Sequence, residues 1–298
     1  ELRGISGNED EIKERFYKEL EFGTAGLRGI LGAGTNRMNE YTVGRAAQGI
    51  ADFIRETGPA AMEKGVVIAH DPRHFSREFT ELSAEIFAAN GIKAYVFPDL
   101  RATPELAFMV RRLGTTAGVN VTASHNPGNY NGYKVYGDDG AQVAPEIAEG
   151  ITGIIRSTEY TACRLMDEKE ALDKGLLKII GNKEVDDDYI AQVKTLSINP
   201  ELLRAEGSKL NIVYTPLHGS GNVPVRRVLK EIGLTNVSVV KEQEMPDPNF
   251  STIKVPNPED PGAYELAFRL AAEVDASVIF ATDPDCDRCG IAVRNKEG

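Results

Sequence analysis

The chain has 298 residues, a formal net charge of −11, 41% apolar residues and three cysteines. This length predicts about two globular domains, and the acidic balance argues against a nucleic-acid partner, because nucleic acids attract basic surfaces. No apolar run approaches the about 18 residues of a membrane span, and the charged first residues and sparse cysteines argue against secretion, so we expect a cytoplasmic protein without a membrane partner.

Apolar runs and helical patterns alternate along the chain, which is typical of layered α/β domains with mixed, largely parallel sheets. In the N-terminal part they predict strands at 66–69, 93–97 and 118–122, and helices at 77–90, 103–113, 146–155 and 189–196. In the C-terminal part they predict strands at 210–214, 237–240 and 276–281, helices at 224–232 and 264–273, and a last strand from Ile291. Residues 200–208 interrupt the pattern, so we predict two domains, 1–204 and 205–298.

A serine and a histidine stand side by side where the third predicted strand ends. The stretch GVNVTASHNPGNYNGYK runs from Gly118 to Lys134 and carries Ser124 and His125 before turns of the Asn-Gly type. The serine either belongs to an ordinary polar loop or acts as a covalent catalyst. A free hydroxyl is a weak nucleophile, so catalysis would require a neighbouring base or a metal ion.

Three acidic residues alternate after a predicted buried strand. In an extended segment Asp283, Asp285 and Asp287 would point to one side, where their carboxylates repel one another unless a cation lies between them. Such oxygen ligands suit Mg²⁺, Mn²⁺ or Ca²⁺. An EF-hand is excluded, because its sixth and twelfth positions would be Arg288 and Arg294. Three carboxylates leave room for substrate oxygens, so we predict a catalytic metal site; the alternative is a solvated acidic loop.

Other motifs fit structural roles better. Cys286 and Cys289 form a C-x-x-C pair that could be a redox site or half a zinc site, but we interpret them as packing cysteines. Two glycine-rich loops, 23–35 and 218–224, are neither a Walker loop nor a full Rossmann motif, although each could receive an anion. We interpret Arg73 as a surface turn residue. The histidines interpreted as loop or core residues are His70, His74 and His218.

Four motifs together carry a family resemblance. They are FGTAGLRG at 22–29, TASHNP at 122–127, NGYKVYGDDGAQ at 131–142 and TDPDCDR at 282–288. In this combination the chain resembles the α-D-phosphohexomutase superfamily, in the phosphoglucomutase/phosphomannomutase group with its phosphopentomutase-like branch. Members have four domains. The resemblance therefore implies that this chain is the N-terminal half, with two of the four domains, and that the complete site needs the C-terminal domains.

The resemblance also implies a role for each motif residue. Ser124 would carry the phosphoryl group. The ligands of Mg²⁺ would be the phosphoserine and three carboxylates, from Asp283, Asp285 and Asp287. Arg28 and Arg288 would contact the phosphoryl group. His125 lies in the catalytic loop, and Lys134 is a candidate general base.

The implied activity is that of a phosphosugar mutase, an intramolecular phosphotransferase that moves a phosphoryl group on a sugar monophosphate through a sugar bisphosphate. Glucose, mannose, ribose and glucosamine phosphates all stay open as substrates. A metal-dependent phosphatase of the haloacid-dehalogenase type is an alternative, although Asp287 stands where its motif has Thr or Val. A chain that binds metal and phosphate without turnover is a second alternative.

Overall fold

The computed structural model describes residues 1–24, 26–181 and 183–295. Its strands are β1 (Leu27–Ile30), β2 (Val66–His70), β3 (Ala94–Val96), β4 (Ala117–Val121), β5 (Tyr130–Tyr136), β6 (Leu177–Ile179), β7 (Ile212–Thr215), β8 (Val237–Val239), β9 (Val278–Thr282) and β10 (Cys289–Val293). Its α-helices are α1 (Glu9–Phe16), α2 (Glu40–Thr57), α3 (Pro59–Lys64), α4 (Ser76–Ala89), α5 (Thr103–Leu113), α6 (Pro145–Ser157), α7 (Glu168–Asp173), α8 (Lys183–Lys194), α9 (Pro200–Glu206), α10 (Asn222–Glu231) and α11 (Glu265–Glu273).

The first sheet contains six strands in the order β1-β5-β4-β2-β3-β6. Strands β4, β2, β3 and β6 are parallel to one another, whereas β5 is antiparallel to both β4 and β1. Every residue of β2 is buried. Val66 and Ile68 pack into the core formed with α2 and α4, while Val67 and Ala69 pack on the opposite side against α5. Helices therefore cover both faces of this sheet, which explains the continuous apolar run of a central parallel strand.

The second sheet has the order β10-β9-β7-β8, in which β9, β7 and β8 are parallel and β10 is antiparallel. It has its own apolar core, which includes Val213, Ala267 and Ile279. The predicted α/β class with mixed, largely parallel sheets is confirmed. The predicted domain boundary at 204/205 falls inside α9, between the two sheets, and stays a prediction.

Two predictions of local structure were wrong. The helix expected from residue 189 begins at Lys183, so it includes the acidic residues that were expected to precede it. The interruption expected at 200–208 contains helix α9, which begins with Pro200 after Asn199. Asn199 Oδ1 accepts the N–H of Leu202 at 3.3 Å. A proline is well placed at a helix start, where its missing N–H leaves no partner unsatisfied.

The edge of the first sheet also differs from expectation. Part of the glycine-rich loop at 23–35 is strand β1, and the expected Asn-Gly turn at Asn131 lies within strand β5. A Cβ atom on Gly132 would lie 2.4 Å from the carbonyl oxygen of Thr122. The glycine therefore permits close strand pairing and does not mark a turn here.

Throughout the described part of the chain, no helix combines the length and the apolar character that crossing a membrane would require.

Candidate active site

Ser124 follows β4 and begins the serine loop, which we define as residues 124–130. Its φ is 53°, in the left-handed region, and its N–H donates to Thr122 Oγ1 at 2.8 Å. The residue is 3% exposed. Ser124 Oγ donates a hydrogen bond to Asp283 Oδ2 at 2.8 Å and lies 3.2 Å from His125 Nδ1. The hydroxyl and the first acid of the distant motif are therefore in direct contact.

The acid loop, which we define as residues 283–288, connects β9 to β10. It is not extended as expected, because Cys286 has a φ of 57° and its N–H donates to the Asp283 carbonyl oxygen at 3.0 Å. Asp283 Oδ1 accepts two further backbone N–H groups of the loop at 3.1 Å each. A turn thus brings the carboxylates together: one oxygen each from Asp283, Asp285 and Asp287 lies within 4.8 Å of the others.

Residues beside the first sheet hold Asp285. Lys134, in β5, contacts Asp285 Oδ2 at 2.7 Å and Asp287 Oδ2 at 3.1 Å. Thr103, the first residue of α5, donates its hydroxyl to Asp285 Oδ2 at 2.7 Å and its N–H to the Asp285 carbonyl oxygen at 2.8 Å. Asn120 Nδ2 donates to Thr103 Oγ1 at 2.6 Å. Side chains and backbone therefore fasten the acid loop to the first sheet.

The charges in this cluster are unevenly compensated. Burial by itself would raise the pKa of Asp285, but the Lys134 ammonium outweighs burial and lowers that pKa below its ordinary value. Burial likewise would lower the pKa of Lys134, but attraction by its carboxylates raises it. Asp283 makes no ion pair of its own with the described residues, and burial followed by repulsion from Asp285 and Asp287 raises its pKa to about 8.

These residues fit a hard divalent cation. Asp285 Oδ1 is buried and has no hydrogen-bond partner among the described residues. Burial first, and then the negative charges of Asp285 and Asp287, raise the pKa of Asp283. Carboxylate oxygens are the donors that Mg²⁺ prefers. The groups that could hold the ion are the three carboxylates and the Ser124 hydroxyl that contacts Asp283.

The two arginines that were predicted to contact phosphate, Arg28 and Arg288, are each hydrogen-bonded to another side chain in this structure. Arg28, in β1, donates to Asn126 Oδ1 at 3.1 Å, and Arg288 donates to Glu259 Oε1 at 3.2 Å. Burial, then the positive charges of Arg288 and Arg28, lower the pKa of the His125 imidazole. The structure therefore brings the serine, histidine, lysine and acids into contact, whereas the proposed contact of both arginines with phosphate stays a prediction.

The interpretation of Arg73 as a surface turn residue was wrong. Arg73 is 3% exposed, and its Nε lies 3.0 Å from Asp71 Oδ2, with both side chains fully buried. Buried charges are rare unless they are paired. The available signal was position: the Asp-x-Arg pair follows a strand whose parallel neighbour, β4, leads to Ser124.

A cavity of about 870 Å³ lies elsewhere, between the N-terminal segment, residues 31–35 and helix α4. Much of its lining is apolar and includes Leu2, Phe16, Met38 and Phe79. It contains none of the predicted site residues. Cavity size is therefore a poor guide to the chemistry of this chain.

Two family models match most of the chain. The model of phosphoglucomutase/phosphomannomutase α/β/α domain I matches residues 19–162, and that of domain II matches residues 187–298. The two matches divide the chain much as its two sheets do.

Curated relatives carry related names. The chain is 40% identical over 292 residues to a phosphoglucomutase of Staphylococcus haemolyticus, covering 96% of this chain and 50% of that protein. It is 36% identical over 299 residues to a phosphopentomutase of Homo sapiens, covering 98% of this chain and 48% of that protein. The chain thus spans about half the length of the curated relatives it matches.

A solved structure agrees with the family models. A crystal structure described as a phosphomannomutase from Thermus thermophilus matches with a TM-score of 0.75 and 26% identity, over 93% of this chain and 57% of that one. Together with the two matched domains and the curated relatives, this likeness shows that the chain belongs to the phosphoglucomutase/phosphomannomutase family of the α-D-phosphohexomutase superfamily.

Proposed function

We propose that this chain carries the phosphoserine and metal sites of a Mg²⁺-dependent phosphosugar mutase, with Ser124 as the phosphoryl carrier. The observation that carries the proposal is the 2.8 Å hydrogen bond from Ser124 Oγ to Asp283 Oδ2. It joins the two motifs that, in the resemblance, would supply the nucleophile and the metal ligands. The expected cytoplasmic location belongs to the same proposal.

Because the chain spans about half of its relatives, we separate two levels of function. For this chain we propose exchange of a phosphoryl group between Ser124 and a sugar bisphosphate. For the whole protein we propose the complete mutase cycle on sugar monophosphates, which would also need the two further domains that the resemblance implies.

Charge compensation is the main task of such a site, since phosphoryl transfer depends on positioning and electrostatics. Phosphoserine would add about two negative charges beside three carboxylates. Mg²⁺ bound by these carboxylates would supply positive charge to the phosphoryl oxygens. Lys134 already neutralises Asp285, while Arg28 and Arg288 would have to exchange Asn126 and Glu259 for phosphate oxygens.

Two acceptors flank the hydroxyl proton of Ser124. Asp283 Oδ2 accepts it at 2.8 Å, and His125 Nδ1 lies 3.2 Å from Oγ. The lowered pKa of His125 keeps this ring neutral near pH 7, so it can take a proton. Lys134 is held as a cation by its carboxylates, and we propose charge compensation as its role in preference to general-base catalysis.

The contacts of Asp283 favour this function over an aspartyl phosphatase. In a phosphatase of that type the first acid would attack phosphorus through a free carboxylate oxygen. Here Oδ1 accepts two backbone N–H groups and Oδ2 accepts the Ser124 hydroxyl.

Intact-mass measurement after incubation with glucose 1,6-bisphosphate and MgCl₂ tests the proposal. We expect one added phosphoryl group, located on Ser124 by peptide fragmentation, and none on Ser124→Ala. Ser220→Ala is the matched control, because Ser220 is also buried and donates to the acid loop through the Pro284 carbonyl oxygen at 3.0 Å. Phosphate on Asp283 would support the phosphatase. A chain that binds Mg²⁺ but accepts no phosphate would support binding without turnover.

A further inference from the structure

The serine loop is wrapped around the side chain of Arg73. The guanidinium is fully buried and ion-paired with Asp71 at 3.0 Å. It donates hydrogen bonds to four carbonyl oxygens of the loop, those of Ser124 (2.7 Å), Asn126 (2.5 Å), Pro127 (2.8 Å) and Tyr130 (3.1 Å). One planar cation thus binds four carbonyl groups of this loop, which the five donors of arginine make possible.

Asp71 connects the same ion pair to the other side of Ser124. Its Oδ2 accepts the hydroxyl of Thr122 at 2.7 Å, and Thr122 Oγ1 in turn accepts the N–H of Ser124 at 2.8 Å. Its Oδ1 accepts the hydroxyl of Ser76 at 2.9 Å and the N–H of Arg73 at 3.0 Å. The ion pair therefore binds the serine carbonyl directly and the serine N–H through one hydroxyl.

A loop beside the second sheet covers this arrangement. The Phe250 ring centroid lies 4.9 Å from the Arg73 guanidinium carbon. The neighbouring Asn249 contacts His74 Nε2 through its Oδ1 at 2.8 Å, one residue from Arg73. An aromatic face over a guanidinium is favourable and excludes water from it. Residues from the part of the chain that contains the second sheet therefore pack on the arginine that binds the Ser124 carbonyl oxygen.

We propose that Arg73 is a positioning residue that holds Ser124 Oγ against the acid loop in its left-handed backbone conformation. This inference rests on the proposed function, since positioning matters only if Ser124 carries the phosphoryl group. Arg73 touches neither the hydroxyl nor an acid of the acid loop; it acts through the loop backbone. A lysine there would keep the charge but could not donate to four carbonyl oxygens and a carboxylate at once.

The test compares Arg73→Lys with Arg45→Lys. Arg45 is a matched control because it is also buried, pairs with Glu19 at 2.8 Å, donates to two carbonyl oxygens and lies under the ring of Tyr160. These partners lie outside the serine loop. Both variants remove the same kind of contacts, but only Arg73→Lys removes them from the serine backbone.

Two readouts separate positioning from general stability. In single-turnover phosphorylation by glucose 1,6-bisphosphate with MgCl₂, we expect Arg73→Lys to lower the saturating rate constant by about 100-fold, as a small misplacement of a reacting group does. The concentration of glucose 1,6-bisphosphate that gives half of the maximal rate should stay within about twofold of wild type in Arg73→Lys. In Arg45→Lys, both this concentration and the saturating rate constant should stay within about twofold of wild type. In metal-free buffer, amide exchange across 122–131 should be about tenfold faster in Arg73→Lys and unchanged in Arg45→Lys.

Equal rate constants or equal amide exchange in the two variants would overturn the proposal. If wild type accepts no phosphate on Ser124, the proposed function fails, while amide exchange still decides whether Arg73 holds the loop. Should Arg73→Lys not fold, Thr122→Val and Thr122→Ser test the connection from the Arg73–Asp71 ion pair to the Ser124 backbone. Only the valine variant loses the hydroxyl between Asp71 and the Ser124 N–H, so only that variant should phosphorylate slowly. Equal rates in this pair would likewise contradict the proposal.

Discussion

Two buried carboxyl groups lie near the start of helix α5: Glu105 belongs to the helix, and Asp285 of the acid loop contacts its first residue, Thr103. Burial by itself raises the pKa of both. Asp285 is 0% exposed and Glu105 is 2% exposed. The pKa of Asp285 is nevertheless low, because Lys134 contacts it at 2.7 Å. The pKa of Glu105 rises to about 8, because burial and then the neighbouring Asp186 raise it. Arg101, the cation that would lower this pKa, is 3.8 Å away. Of these two buried acids, the one with a cation at hydrogen-bond distance therefore has the lower pKa.

Removing that cation should have the largest effect on stability. Lys134→Met leaves Asp285 as an uncompensated buried charge, and we expect unfolding free energy to fall by about 3–5 kcal/mol in urea titrations with EDTA. Lys194→Met is the control, because Lys194 pairs with Glu231 at the surface, with side chains 41% and 31% exposed. That variant should change stability by about 1 kcal/mol or less. Similar losses in both variants would contradict the comparison.

Glu105 should make stability depend on pH in a defined direction. Its folded pKa of about 8 lies above the ordinary value of 4.5, so the folded state holds a proton that the unfolded state releases. The contribution of Glu105 to stability is therefore fully present below pH 4.5 and is lost as the pH rises toward 8. The loss amounts to at most about 1.4 kcal/mol per pH unit. Urea midpoints of wild type should fall from pH 5 to pH 8. Glu105→Gln should reduce this slope and leave the part that Asp283, with its own pKa of about 8, contributes, and an unchanged slope would refute the assignment.

Thr103 should contribute less than Lys134, because it offers Asp285 a hydrogen bond without a charge. Thr103→Val removes the hydroxyl that donates to Asp285 and accepts from Asn120. We expect a loss of about 1.5–3 kcal/mol in the same titrations, as for a buried bond to a charged group. Thr103→Ser keeps the hydroxyl and should recover most of this loss. If serine were as destabilising as valine, lost packing rather than the hydrogen bond would be the cause.

The arginine beside the site should matter least for stability. Arg288 and Glu259 have side chains 36% and 73% exposed, so Arg288→Gln should change unfolding free energy by about 0.5 kcal/mol or less. The same variant should slow phosphorylation of Ser124 by about tenfold or more, because it removes a donor for phosphoryl oxygens. Glu259→Gln, which frees Arg288 from its partner, should leave the rate unchanged or raise it. A fast Arg288→Gln variant would exclude a phosphate contact.

Local patterns predicted the central strands and many of the helices within about two residues, and missed elements such as β1, β5 and α2. Strands β2 and β4 and helix α5 were predicted within one or two residues, because their apolar pattern is visible in the sequence. Helix α2 was not predicted, since its glycines weaken the local signal. A Cβ atom on Gly49 would lie 2.5 Å from Ile155 Cγ1. That glycine allows α2 to pack closely on α6, a tertiary requirement that outweighs helix propensity.

The residues of the candidate site also fall into a predictable and an unpredictable group. The residues proposed to do the chemistry, Ser124 and the acids, stand in recognisable motifs, whereas the residues that hold them do not. Arg73 binds a carbonyl oxygen 51 positions away, and Thr103 binds Asp285 across 182 positions. Nothing in the short stretches DPR or ATPE marks such partners. The burial of an arginine is decided by the loop that folds around it, which only the tertiary structure reveals.

The contact between Ser124 and Asp283 has a consequence for biosynthesis, because 159 positions separate the two residues. Chains generally fold from the N-terminus as they leave the ribosome. A nascent chain that has emerged only as far as β6 can complete the first sheet, but its serine still lacks every carboxylate of the acid loop. We therefore expect Ser124, the proposed nucleophile, to remain unreactive until the second sheet has been translated and has packed against the first.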